Sequence, residues 1–141
     1  MGNLSVIEPI IAPSLSGRVL GTPDNDFVVA EWRDPGGPSD PPRFIAPRHL
    51  HRNDDEAWYV LEGTLRVQVG QNIVEARAGS SVLVPRGTVH TYWNPESAAA
   101  RYLLVMTPRI FRLIQAIHGA QDRSPAALRN LFEKFDSELV D

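Results

Sequence analysis

Cysteine is absent from this chain, and that absence removes disulfides, thiolate nucleophiles, iron–sulfur clusters and cysteine-type zinc sites in one step. Any bound metal must therefore be held by His, Asp or Glu. No apolar run reaches the length of a bilayer span, and the N-terminus lacks a basic region followed by an unbroken apolar stretch. The expectation is a soluble, cytoplasmic protein. Fourteen Lys and Arg stand against 17 Asp and Glu, a net charge of −3 with no concentrated basic stripe, so neither nucleic acid nor an anionic membrane is expected as a partner. A small-molecule substrate is not excluded by these numbers. Also missing are the Gly-x-Ser-x-Gly elbow, the phosphate-binding Gly-x-x-x-x-Gly-Lys run and a Gly-x-Gly-x-x-Gly opening a helix, which leaves serine-hydrolase, P-loop and nicotinamide readings without support.

At 141 residues the chain fits one domain and can bury roughly 68–70% of its unfolded surface. Residues 1–17 mix apolar side chains with Pro9, Pro13 and Gly17, which suits an irregular arm lying on its own domain or on a second subunit. A core over residues 18–106 follows. It opens with the β-rich run Phe27 to Trp32, which stops at a Pro- and Gly-rich stretch from Asp34 to Pro42, read as a surface connector. Ala57 to Glu62 and Thr64 to Val69 read as two strands hinged at Gly63; further turns at 70–72, 78–79 and 85–87 separate Ile73 to Ala76, Ser81 to Val84 and the segment carrying His90. Many short strands at even spacing point to an antiparallel sandwich or barrel.

After Met106 the period changes. Thr107-Pro108 is a cap and first-turn signal, and Ile110, Leu113, Ile114 and Ile117 then share one helical face up to Gly119. Ser124-Pro125 repeats the device, and Leu128, Leu131, Phe132, Phe135 and Leu139 form a second apolar stripe. Residues 107–141 are therefore expected to be two amphipathic helices covering the β core or a subunit interface.

The chemistry concentrates in two segments. His49 and His51 are two apart, so on a strand both rings leave the same face and one cation can meet two imidazoles. Glu56 follows a polar turn, Arg52 to Asp55, and is expected to open the neighbouring antiparallel strand and face the pair with a hard oxygen ligand. His90 comes from a strand distant in sequence and would close a set of three imidazoles and one carboxylate. Such a set leaves room at an octahedral ion for further ligands and suits one divalent metal ion, with Fe, Mn or Ni expected first and Zn, Co or Cu also compatible. By strand parity Trp58 shares a side with Glu56 and Tyr92 with His90, so both are expected in a substrate pocket for an aromatic or apolar molecule. Arg48, Arg86 and Arg101 have no distinguishing neighbours and are left out of the site, and His118 reads as a favourable charge at a helix C-terminus or a plain surface residue.

The two segments resemble the two signature motifs of the cupin superfamily. The first reads His49, one residue, His51, four residues, Glu56, six residues, Gly63; the second reads Gly79, five residues, Pro85, one residue, Gly87, two residues, His90, three residues, Asn94. Arg43 stands where the first motif often has a leading glycine. The resemblance implies an all-β double-stranded β-helix, or jelly roll, here with C-terminal α-helices. It assigns His49, His51, Glu56 and His90 as metal ligands and Gly63, Gly79, Pro85 and Gly87 as corner residues. It further implies a homodimer and, as the leading activity, a dioxygenase with substrate bound at the metal and Glu56 as ligand and proton acceptor. A non-redox isomerase, cyclase or lyase is the second reading, and a non-catalytic ligand-binding module the third.

Overall fold

A computed structural model describes residues 11–13 and 19–140. The arm expected over 1–17 lies outside the described residues except for 11–13. Nine strands and two helices follow one another as β1 (Val28–Asp34), β2 (Ala46–His51), β3 (Glu56–Glu62), β4 (Thr64–Val69), β5 (Asn72–Arg77), β6 (Ser81–Val84), β7 (His90–Trp93), β8 (Ala100–Met106), α1 (Pro108–Gly119), α2 (Pro125–Lys134) and β9 (Ser137–Leu139). The strands form two antiparallel sheets, β1-β8-β3-β6 and β5-β4-β7-β2-β9. This is the expected jelly roll with helices at its C-terminal end.

Alternation along each strand builds the space between the sheets. In β8, Ala100, Tyr102, Leu104 and Met106 point inward, as do Val28 and Ala30 of β1, Trp58 and Val60 of β3, and Leu65 and Val67 of β4; all are buried in one core cluster. The corner between β3 and β4 is Gly63, at φ 75°, a conformation open to glycine at little cost. A Cβ there would also press on the Ala99 carbonyl and lie 2.9 Å from the Ala100 Cα. The corner before β7 is Gly87, whose N–H donates to the His51 carbonyl at 2.6 Å and so ties the second motif to the first.

Both helices start as their caps dictate. Thr107 accepts from the Ile110 N–H and Ser124 from the Ala127 N–H, each followed by proline in the first turn. The second apolar stripe does not continue as helix, however. α2 ends at Lys134, Asp136 takes φ 57°, and residues 137–139 reverse to pair antiparallel with β2, Leu139 opposite His49 and Ser137 opposite His51. A free edge on β2 offers ladder hydrogen bonds that outweigh the local helical period. Asp136 is fixed there by its carbonyl, which accepts from the Arg52 N–H at 2.9 Å, and by its carboxylate, which accepts from Asn53 Nδ2 at 2.7 Å. The C-terminal region thus contributes a strand as well as two helices.

The 35–44 connector is held down at several points. Ser39 Oγ donates to the Pro95 carbonyl at 2.8 Å and the Gly37 N–H to that of Glu96 at 3.3 Å. Asn94 organises the opposing turn, donating to the Ala98 carbonyl and accepting from the Glu96 N–H. No helix among the described residues is long and apolar enough to cross a membrane.

Candidate metal centre

β2, β3 and β7 deliver four side chains to one point at the end of the core. His49 and His51 face inward from β2, and His90 lies directly across the ladder from His49. The β2–β7 register shifts between Ala46 and His49, so a bulge sets the pair's position, a device common beside functional sites. Glu56 opens β3 as expected, but β3 belongs to the opposite sheet and is not the neighbour of β2. The carboxylate therefore reaches the histidines across the core. One donor atom from each of His49, His51, Glu56 and His90 lies within 4.8 Å of all the others, and every one of the four residues is buried.

The hydrogen bonds around the rings decide which nitrogens are available. His49 Nδ1 donates to the Pro47 carbonyl at 2.6 Å and His90 Nδ1 to the Thr88 carbonyl at 2.9 Å, because a carbonyl can only accept. His51 Nδ1 lies 2.7 Å from Ser137 Oγ, whose own proton goes to the Phe135 carbonyl at 3.1 Å; the serine oxygen must therefore accept. In the neutral form each of the three rings would carry its proton on Nδ1 and its lone pair on Nε2, the arrangement outer partners impose on metal-binding imidazoles. Ser137 was not recognisable in the sequence: it lies on the three-residue strand hidden in the helical stripe.

That arrangement places lone pairs against negative charge. Glu56 Oε1 is 2.8 Å from His90 Nε2 and 3.4 Å from His51 Nε2, and the latter nitrogen is buried without a hydrogen bond of acceptable geometry. Only a proton or a cation between these atoms makes the contact favourable. A divalent ion satisfies all four donors together, so the residues present fit a metal.

Electrostatics agree. Burial, followed by the charges of His90 and His51, lowers the His49 imidazole to about 3, which keeps it neutral and able to ligate. For Glu56 burial is the largest influence and pushes upward, but a proton on Nε2 of His51 and of His90, where a cation would otherwise sit, outweighs it and holds the carboxyl at about 2. Glu56 is thus ionised throughout the neutral range.

Three of the four, His49, His51 and Glu56, line one end of a cavity of about 300 Å³. Trp58 and Tyr92 both line it, and so do Trp32, Tyr102, Leu104 and Phe132. One side is closed by Ile110, Leu113, Ile114 and Ile117, the apolar face of α1. The lining also includes Arg33 and Asp34 at the end of β1 and the exposed His118 near the end of α1. His118, read from sequence as a surface or helix-end residue, is exposed yet borders this cavity. Arg86 is engaged by Asp55 at 3.1 Å and Arg101 by Glu62 at 3.0 Å, and neither borders the cavity.

Comparison with known proteins bears on this arrangement. A family model described as "Cupin domain" matches residues 35–106. A mannose-1-phosphate guanylyltransferase from Salmonella muenchen is 35% identical over 77 residues, 55% of this chain and 15% of that protein. The chain thus spans a small part of that relative's length. Among solved structures, a sugar phosphate isomerase from a cupin superfamily, from Silicibacter pomeroyi, is similar at 28% identity and TM-score 0.51, covering 59% of this chain and 51% of that one. A cupin protein from Bacteroides fragilis has TM-score 0.57 at 13% identity, covering 71% of this chain and 82% of its own, a likeness of fold alone.

Proposed function

The chain belongs to the cupin family, whose fold does not fix a reaction, and we propose that it is a metal-dependent dioxygenase acting on a small, largely apolar organic molecule. The observation that carries this reading is the buried His49, His51, Glu56 and His90 group, three of whose members, His49, His51 and Glu56, line a cavity walled by aromatic and aliphatic side chains. His49, His51 and His90 would hold the ion through Nε2, and Glu56 through a carboxylate oxygen. When bound, a divalent metal supplies Lewis-acid polarisation of a substrate oxygen and, if redox-active, a path for electrons to dioxygen.

The chain's own residues supply the rest. Trp58 and Tyr92 line the cavity and orient a flat or apolar skeleton, while α1 and Phe132 shield it from water. Glu56 is the carboxylate at this end of the cavity and is the proton acceptor we assign. In the metal-free protein its proton affinity is low, which makes it a ligand first. Oxygen electrodes provide the test: with Fe(II), Mn(II) or Ni(II) restored to the metal-free protein, catechol-like, flavonol-like or diketone compounds should elicit metal-dependent oxygen uptake. Turnover that proceeds unchanged without oxygen would refute the proposal.

The second reading is non-redox Lewis-acid chemistry, and the similarity to a protein described as a sugar phosphate isomerase favours it. The cavity weighs against a sugar phosphate here, because most of its wall is apolar and cannot answer sugar hydroxyls. Activity retained anaerobically with zinc would select this reading. We further propose a homodimer; the outward face bearing Tyr59, Leu83, Leu103 and Val105 supports it, with Tyr59 42% and Leu83 62% exposed. Light scattering showing a monomer at micromolar concentration would refute it.

A further inference from the structure

Ring packing accounts for the aromatic side chains in the cavity wall, but not for the polar hydrogens they carry. Trp58 on β3, Tyr92 on β7 and Tyr102 on β8 all border the cavity and are all buried. They form a continuous chain of rings: Trp58 sits 5.8 Å from the His90 ring and 5.2 Å from Tyr92, and Tyr92 stands edge-on to Tyr102 at 5.7 Å. The row therefore starts at the metal cluster and leads away from it along the wall.

Two donors in this row lack a partner with hydrogen-bonding geometry. The Tyr92 and Tyr102 hydroxyls are 3.0 Å apart, so one phenolic proton is shared between the two oxygens and the other is left over. The Trp58 Nε1–H is buried with no hydrogen-bond partner. Tyr92 is close enough to interact with the indole, yet no bond of acceptable geometry forms. Two donors in an apolar wall lower stability without return inside the protein. Phenylalanine at the tyrosine positions would pack as well without that penalty.

We propose that Trp58, Tyr92 and Tyr102 form an oxygen-acceptor subsite that binds a carbonyl oxygen of the substrate. The indole N–H and the spare phenol O–H donate to this oxygen, and the hydrocarbon part of the molecule lies against the aliphatic face of α1. The subsite selects an uncharged carbonyl over a carboxylate, because the row holds no cation to compensate a buried negative charge. This inference rests on the reading of the cavity as the substrate site, but not on the reaction being a dioxygenation.

Acetophenone and ethylbenzene, which share a skeleton and differ in the carbonyl, test the subsite by calorimetric titration of zinc-loaded protein, where no turnover intervenes. Acetophenone should bind roughly tenfold more tightly, the worth of two modest hydrogen bonds, and its carbonyl stretch should shift to lower wavenumber on binding. The Tyr92→Phe/Tyr102→Phe double variant and Trp58→Phe should each reduce both the preference and the shift, while the double variant keeps its affinity for ethylbenzene as the control for an intact cavity. Equal binding of the two compounds by the natural protein, failure of both to bind, or a preference that survives in the variants would overturn the proposal. A carbonyl preference without oxygen uptake would sink the dioxygenase reading and leave the subsite standing; oxygen uptake without the preference would do the reverse.

Discussion

Replacing Ser137 by alanine should weaken metal binding although Ser137 is not among the four side chains that could hold the ion. Its oxygen accepts the His51 Nδ1 proton at 2.7 Å at a position that is 0% exposed, so no bulk water can take its place. Orphaning a buried N–H costs about 1–3 kcal/mol. The imidazole has two responses: it keeps an unpaired N–H, or it moves the proton to Nε2 and loses the lone pair that faces Glu56. Both raise the free energy of the state that ligates, and outer partners of this kind are worth about 10–100-fold in metal affinity, or roughly 1.4–2.7 kcal/mol. Competition of the metal-free protein against a chromophoric chelator for Zn(II) or Mn(II) measures the change, with circular dichroism to verify the fold. A folded Ser137→Ala protein that binds metal as tightly as the natural one would refute the argument that β9 sets the tautomer of His51.

Metal-free protein should be acid-sensitive over a defined range. The folded-state value of His49 is lowered from 6.5 to about 3, so its contribution is fully present above about 6.5 and disappears as the pH falls through 3; urea denaturation at stepped pH should show stability dropping across that interval, and His49→Gln should flatten the drop. Glu56, lowered from 4.5 to about 2, adds to the loss below about 4.5, so a midpoint that does not move between pH 6.5 and 4.5 would contradict the His49 assignment, and a drop that does not steepen below 4.5 would contradict that of Glu56. Gly63→Ala should cost about 1–3 kcal/mol by thermal unfolding, from the positive φ and the crowding at Ala99 and Ala100; a change near zero would mean that the corner relaxes freely.

The four clustered side chains were legible because each sits in a short segment whose glycines and prolines set the turns and whose alternation fixes the side of the strand. Parity alone also put Trp58 and Tyr92 in the cavity. Partnership between strands was harder to read, since alternation says which way Glu56 points relative to its neighbours but not which sheet β3 joins. Glu56 reaches the histidines across the core, a relation set by long-range closure of the roll. β9 was hidden for a different reason: Phe135 and Leu139 continue a helical apolar period, and only the turn at Asp136 breaks it. Ser137, and with it the orientation of His51, was concealed behind that misleading period. His118 was weighed as an isolated residue, and its place at the cavity mouth depends on how α1 crosses the end of the sandwich.

The most direct measurement is the metal content and coordination of protein purified without a chelating resin. Elemental analysis should find one equivalent of a divalent ion per chain, and X-ray absorption should show three imidazole nitrogens with carboxylate oxygen in the shell, the occupancy falling sharply in His90→Ala and Glu56→Ala. Protein that binds no ion at any occupancy, or an ion that persists unchanged in both variants, would contradict the account.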